Sequence, residues 1–257
     1  MTHHQHTDLV SKGNEAAQVA QIAIKVLAGS LNQASGLDEG PPLVPAIITS
    51  QASQRLVNAS LDPKKTAVSS AINKLQAAGF SDFILFSQII PAAVHQLGLA
   101  WENDDLSFFA MTLSASRLQI AVHGLSETEG PAGINRLSKE LSLLIIVPEG
   151  TQHTLGAIIL GKTLRCVGAR IKLEMGVTAS RVHQIGAGEQ FDGVFISASA
   201  RDSAKKLSEI ISNVRYNWST AKVILGGGIL SAQVNLDAVM GTDYKTNDWK
   251  AAVAQCF

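Results

Sequence analysis

The chain has 257 residues, 46% of them hydrophobic and 5% aromatic, with 21 basic and 21 acidic side chains in balance. At roughly 150 residues per domain that is one large or two modest domains with ample core, and zero net charge gives no field to draw it onto nucleic acid or an anionic membrane. Two cysteines, Cys166 and Cys256, exclude a disulfide framework and a thiolate zinc site and suit a reducing compartment. The first residues lack the basic and apolar regions of a signal peptide. No apolar run is seen that nears the roughly 20 residues of a membrane span, so a cytoplasmic protein is expected.

Apolar residues at helical spacing begin with Ala16, Val19, Ile22, Ala23, Val26 and Leu27 after a cap at Asn14, and Gly29 stops them. Residues 30–45, with Gly36, Gly40, Pro41, Pro42 and Pro45, read as a linker, so 1–44 form an N-terminal helix and linker. Four helical stretches follow, 45–59, 62–78, 81–102 and 106–127, and predict a small bundle over 45–128. Asp62-Pro63 reads as a cap with a first-turn proline, and Pro91 is expected to kink or split the third stretch.

After the hinge 129–133 the grammar changes. Short, continuously apolar runs at 141–147, 170–175, 193–196, 221–225 and 236–240 alternate with helical segments at 154–167, 178–185, 200–214, 231–235 and 247–254. Such strands, each followed by a helix, make a parallel sheet covered on both faces. The fold class is therefore α/β, with a flavodoxin-like five-stranded parallel sheet over 134–257.

With strand order 2-1-3-4-5, ligands bind over the carboxyl ends of the strands near the switch between the first and third. Three marked loops converge there: Glu149 to Gly156 after the first strand, Ser197 to Ala200 after the third, and Gly226, Gly227 and Gly228 after the fourth. His153 offers a neutral imidazole for a transition metal, Gly156 admits a bulky group or close packing, and Ser197 offers a hydrogen bond or a helix cap. The consecutive glycines let backbone approach a large flat or phosphate-bearing ligand. No GxGxxG, GxxxxGK[ST] or G-x-S-x-G motif is present, and no aspartate cluster follows the first strand. No catalytic triad or carboxylate pair remains, and the chain is read as a non-enzyme.

Thr151-x-His153-x-x-Gly156, then Ser197-Ala198-Ser199, then Gly227-Gly228 resemble the cobalamin-binding signature D-x-H-x-x-G, S-x-L, GG. The resemblance implies His153 as lower cobalt ligand and a nucleotide tail lying beside the serines and glycines. Thr151 stands in place of the aspartate that orients the histidine, leaving that hydrogen bond weaker or supplied by Glu149 or water, and Ser199 replaces the leucine. Leu97-Gly98-x-x-Trp101, Asp104-Asp105-Leu106-Ser107-Phe108 and Arg117-Leu118-Gln119 resemble the helical cap over the upper corrin face of cobalamin-dependent light-responsive regulators, with Trp101 over the macrocycle. Met111 and Thr112 occupy the places where light-sensing transcription factors carry Glu-His, the upper ligand.

With Gln152, Thr154 and Leu155 flanking the histidine, the whole looks most like the AerR/PpaA family of photosynthesis-gene antirepressors. That resemblance implies cobalamin as cofactor, a PpsR/CrtJ-type repressor as partner, no independent nucleic-acid binding and a response to light. Haem ligated by His153 in a redox or gas sensor, and a corrinoid methyl carrier, are the alternatives. His95, His123 and His183 are expected to face solvent or make local hydrogen bonds, and Trp218 and Trp249 to pack at the surface or the sheet edge.

Overall fold

The structure, a computed structural model, describes residues 46–127, 137–151, 154–186, 188–232 and 235–257. The expected helix 16–28, the hinge 129–133, Gln152 and His153 lie outside the described residues.

The bundle comprises α1 (Ala46–Leu61), α2 (Ala67–Ala77), α3 (Asp82–Glu102) and α4 (Phe108–Gly124). Ser81 Oγ accepts from the Ile84 amide and Ser107 Oγ from the Ala110 amide, so α3 and α4 start at serine caps. Helix α2 begins later than the Asp62-Pro63 signal predicts. Asp62 Oδ1 instead accepts from the Lys64 amide at 2.8 Å, an Asx turn that joins α1 to α2.

The regular α-helix is interrupted just before Pro91, which sits in the first turn of the α-helical segment Ile90–Glu102. Residues Leu85–Ile89 form a wider π turn, in which the Ile90 amide reaches back to the Leu85 carbonyl. The extra residue in that turn accommodates the missing proline donor while the helix runs on. Helix α3, with a mean hydropathy of 1.5, is by length and composition alone apolar enough to cross a membrane. Ser87, Gln88, His95 and Gln96 interrupt its apolar residues, so no continuous apolar run marks it in the sequence. Its apolar face, from Phe83 through Phe86, Ile90, Val94 and Leu97, is buried in the bundle, as in the core helix of a bundle.

The second part alternates strand and helix: β1 (Ser142–Pro148), α5 (Leu155–Cys166), β2 (Arg170–Val177), β3 (Gly193–Ser197), α6 (Ala204–Asn217), β4 (Lys222–Gly226), β5 (Tyr244–Lys245) and α7 (Trp249–Ala254). All strands are parallel in the order β2-β1-β3-β4-β5, which is the expected order. Strands β1, β3 and β4 are buried on both faces, because α5 and α7 cover one side and α6 the other.

The fifth strand is not the run 236–240. Asn235 Oδ1 caps a 3-10 turn over Leu236–Ala238, and the edge strand comes later, pairing Tyr244 with Ile224 and Lys245 with Leu225. A two-residue, polar edge strand carries almost no apolar signal. The helix expected at 178–185 is only a 3-10 turn over Ser180–Gln184. In place of 231–235 there is a 3-10 turn at Gly228–Ser231. Trp218 is not at the surface: it is 4% exposed, stacks edge-on with Phe191 at 5.2 Å and donates Nε1–H to the Glu189 carbonyl.

The bundle and the sheet share one apolar core. Leu155, Ile158 and Ile159 of α5 pack into the cluster formed by Phe86, Leu97, Leu118 and Val122 of the bundle. Polar ties flank it: Gln119 Nε2 donates to Thr154 Oγ1 at 2.9 Å, and Lys162 Nζ to the Leu125 carbonyl at 2.8 Å.

At the opposite edge of the sheet, Asp243 accepts from the Val223 amide at 2.7 Å and pairs with Arg215 at 2.6 Å. Burial alone would raise its pKa, but these donors override burial and hold the carboxyl below its ordinary range. A depressed folded pKa means that this stabilisation is full above the unfolded value of about 3.9 and is lost as pH falls through the folded value. The advantage of the native chain over Asp243→Asn in urea midpoint is therefore expected to hold down to about pH 4 and to shrink as pH falls below it. A gap that stays constant through that fall would remove Asp243 from the acid response.

Candidate functional site

The carboxyl ends of β1, β3 and β4 lie side by side, with Ile146 opposite Ile196 and Ser197 opposite Gly226. Below this edge is a cavity of about 70 Å³, several times the roughly 10–15 Å³ that one water needs. Its walls are mostly apolar: Leu160 of α5, Phe195 and Ile196 of β3, Ile224 of β4, and Trp249 and Ala252 of α7. Ser197, Thr246, Asn247 and Asp248 supply its polar groups. Trp249 thus lines the site instead of merely packing at the sheet edge, and the 246–249 segment had no sequence signal because β5 itself was misplaced.

The glycines do different jobs. A Cβ on Gly156 would meet no atom within 4 Å, and Gly156 lines the cavity, so its missing side chain leaves open space. A Cβ on Gly226 would lie 2.7 Å from the Thr246 carbonyl, and one on Gly227 would collide with the Ala198 backbone, its nitrogen at 2.9 Å among the contacts. Gly227 also has φ +94°, a conformation that favours glycine. Both glycines let the β3, β4 and β5 loops close on one another while lining the cavity. Gly228 is buried at the start of the following 3-10 turn and is not part of the lining.

The loop after β1 is tied to the loop after β3 by Asp202. This carboxylate, 6% exposed, accepts from Thr151 Oγ1 at 3.2 Å, from the Ser199 amide at 2.7 Å and from Lys206 Nζ at 2.7 Å. Lys206 also donates to the Glu149 carbonyl. Thr151 is therefore partnered by Asp202, while the hydrogen bond expected to orient His153 lies outside the described residues. Ser199 faces Asp202 and caps its own turn, accepting from the Arg201 amide, and does not line the cavity. Asp202 was not legible in the sequence, since 51 residues separate it from Thr151.

On the bundle side, Thr154 bonds Gln119, and Leu155 is 4% exposed in the shared core. Trp101 is half-buried, its ring 5.9 Å from that of Phe108. Thr112 is exposed, but Met111 is not a surface group: at 9% exposure it packs in the bundle core with Leu118 and Val122. Helical spacing explains this, because residues 111, 118 and 122 fall on one face and 112 on another. His183 is exposed and its ring nitrogen lies 3.2 Å from Asn217 Oδ1, as local hydrogen bonding predicts. Among the described residues no group of three His, Cys, Asp and Glu gathers as a metal site.

The edge, the cavity beneath it and the helical bundle set beside it define a doubly wound α/β protein with a helical bundle packed on its sheet domain. The monomethylamine corrinoid protein of Methanosarcina barkeri superposes with a TM-score of 0.59 at 16% identity, over 82% of this chain and 98% of that one. A protein of Rhodobacter capsulatus, described as an uncharacterized 20.5 kDa protein in the bchF-crtJ intergenic region, is 30% identical over 167 residues, which are 65% of this chain and 86% of that protein. The chain belongs to the family of that Rhodobacter protein. No family model matches it.

Proposed function

We propose that the chain binds cobalamin at this sheet edge and acts, without catalysis, as a light-responsive antirepressor on a PpsR/CrtJ-type repressor, as a member of the AerR/PpaA group. The observation that carries the cofactor assignment is the apolar cavity between β3, β4, α5 and α7, kept open by Gly156. Its apolar walls with polar groups Ser197 and Asn247 suit an aromatic nucleotide tail better than they suit a triphosphate, which would need a cationic cradle. His153 would hold the cobalt from below, Gly156, Ser197, Gly226 and Gly227 would line the tail, and Trp101 would cover the upper face. Bound there, cobalamin supplies a cobalt whose upper ligand light can release.

The chain's own part is to turn that change into a surface. Gln119–Thr154 and Lys162–Leu125 fasten the bundle next to the histidine loop, so a bundle that shifts relative to α5 must exchange these bonds. A partner that prefers one arrangement reads the shift as affinity. The tie to photosynthesis genes is supported by the relative encoded between bchF and crtJ, in a photosynthesis gene cluster.

The test is reconstitution with hydroxocobalamin and separately with haem, in darkness and light, for the native chain and His153→Ala. The expected result is a cobalamin spectrum of the base-off, histidine-ligated type, changed in His153→Ala, and repressor affinity that differs between dark and illuminated protein. A Soret band with no retained cobalamin would move the chain to the haem sensors. A second reading, a corrinoid methyl carrier, is favoured by the fold it shares with the monomethylamine corrinoid protein. It predicts equal repressor affinity in both light states and methylation of the reduced cobalt by a methyl donor.

A further inference from the structure

Lysine and arginine are unevenly shared within the bundle. Arg55, Lys64, Lys65 and Lys74 all lie on the hairpin formed by α1, the turn at 62–66 and α2, and Arg117 of α4 is the exception. The acids Asp82, Glu102, Asp104, Asp105 and Glu127 belong to α3, α4 and the segments at their ends, which leaves the hairpin with Asp62 alone. A chain of zero net charge thus carries a local cationic field.

This hairpin encloses a groove of about 760 Å³, a volume in the range of small-molecule sites. Arg55, Asn58, Ala59 and Asp62 recur at helical spacing along one wall, and Ala67, Ser70, Ala71 and Lys74 along the other. The short connection makes α1 and α2 antiparallel. Arg55 and Lys74, at similar distances from the turn, therefore flank one end of the groove, about 10–12 Å from Lys64 and Thr66 at the other. Arg55, Lys64 and Lys74 are exposed, and none of their side chains bonds or pairs with another described residue. Arg117 differs, since it donates to the Ser60 and Asp62 carbonyls at 2.7 Å. Asn58 has its Oδ1 bonded to Gln54 and keeps its N–H donors, and Asp62 Oδ1 takes the Lys64 amide while Oδ2 can still accept. No aromatic side chain lines the groove to stack on a base.

We propose that this groove binds a small sugar-type phosphate carrying an anionic group at each end. Arg55 and Lys74 hold one phosphate, the guanidinium by its planar fork and the ammonium as a point charge, and Lys64 holds the other. Asn58, Asp62 and Ser70 bond the hydroxyls of the body between them. The groove shares no lining residue with the cavity at the sheet edge, so this binding does not depend on cobalamin.

The experiment is equilibrium dialysis of the full chain against radiolabelled fructose 1,6-bisphosphate, with ATP and inorganic phosphate as competitors, for the native chain, Arg55→Gln and Lys74→Gln. The exchanged side chains are exposed, so both variants keep the bundle, which a circular dichroism melt checks; Lys64→Gln replaces either one that melts early. The expected result is saturable binding, at least tenfold tighter than that of inorganic phosphate, weakened at least tenfold in each variant and by added salt. Absence of binding at millimolar ligand overturns the proposal, as does an affinity that the variants leave intact. Equal affinity for inorganic phosphate overturns it in favour of an adventitious ion only, and tighter competition by ATP, whose phosphates lie at one end, overturns the two-ended sugar phosphate in favour of a nucleotide.

Discussion

Gly156→Leu is expected to lower retention of hydroxocobalamin by at least about 100-fold while leaving the thermal midpoint unchanged or slightly higher. The two effects separate because of where this glycine sits. It is the second residue of α5, in helical backbone, where glycine is a poorer helix former than any ordinary residue by up to about 1 kcal/mol. A Cβ there meets no atom within 4 Å, so the first carbon of a side chain adds no backbone clash to the apo protein. The same side chain projects into a cavity of about 70 Å³ and removes the space for a heterocycle. A hundredfold loss corresponds to about 2.7 kcal/mol, the order of excluding one ring from its pocket. Gly156→Ala, with a single methyl, is expected to fall between. The checks are co-elution of cobalamin in gel filtration and a calorimetric melt of the apo proteins. If Gly156→Leu keeps cobalamin at native levels, the tail lies elsewhere and the cavity is a packing defect.

How legible the site was in the sequence depended on chain separation. Strand order and the meeting of the β1, β3 and β4 loops follow from continuous apolar runs and from the parallel topology such runs impose. The polar second layer does not. Asp202 joins Thr151, Ser199 and Lys206 only once the two loops are adjacent, and no local pattern marks it. Trp249 and Thr246 were hidden for another reason: an edge strand of two residues is held by its neighbour, β4, and not by its own hydrophobicity. Met111 was decidable in advance, since its spacing to Leu118 and Val122 places it in the core whatever its neighbour Thr112 faces. The glycines show a different hazard. Gly226 and Gly227 are required by backbone contacts within the protein, and only Gly156 is glycine for the sake of empty space.

Lys162→Ala is expected to destabilise the chain by about 3 kcal/mol, whereas Lys162→Met loses less. The ammonium is 6% exposed, donates to the Leu125 carbonyl at 2.8 Å, pairs with Glu127 at 3.0 Å and lies 5.9 Å from the centre of the Phe86 ring. It is thus the point at which the end of the bundle is bolted to α5, with Arg165 adding a second, more exposed contact to Glu127 at 3.3 Å. Alanine removes those bonds and also the aliphatic stem that fills the seam, leaving the Leu125 carbonyl unpaired and a void. Methionine restores most of the volume but leaves the Leu125 carbonyl without its Lys162 donor, so it recovers only the part of the loss that comes from the void. Urea unfolding followed by circular dichroism reads the difference, and hydrogen exchange across α4 and α5 shows whether the seam opens before the cores melt. Equal losses in the two variants would mean that the charged bonds, and not the filled seam, hold the bundle on the sheet. In that case the proposed shift of the bundle would have to break the Lys162 contacts themselves, and Lys162→Met should then give repressor affinity independent of light.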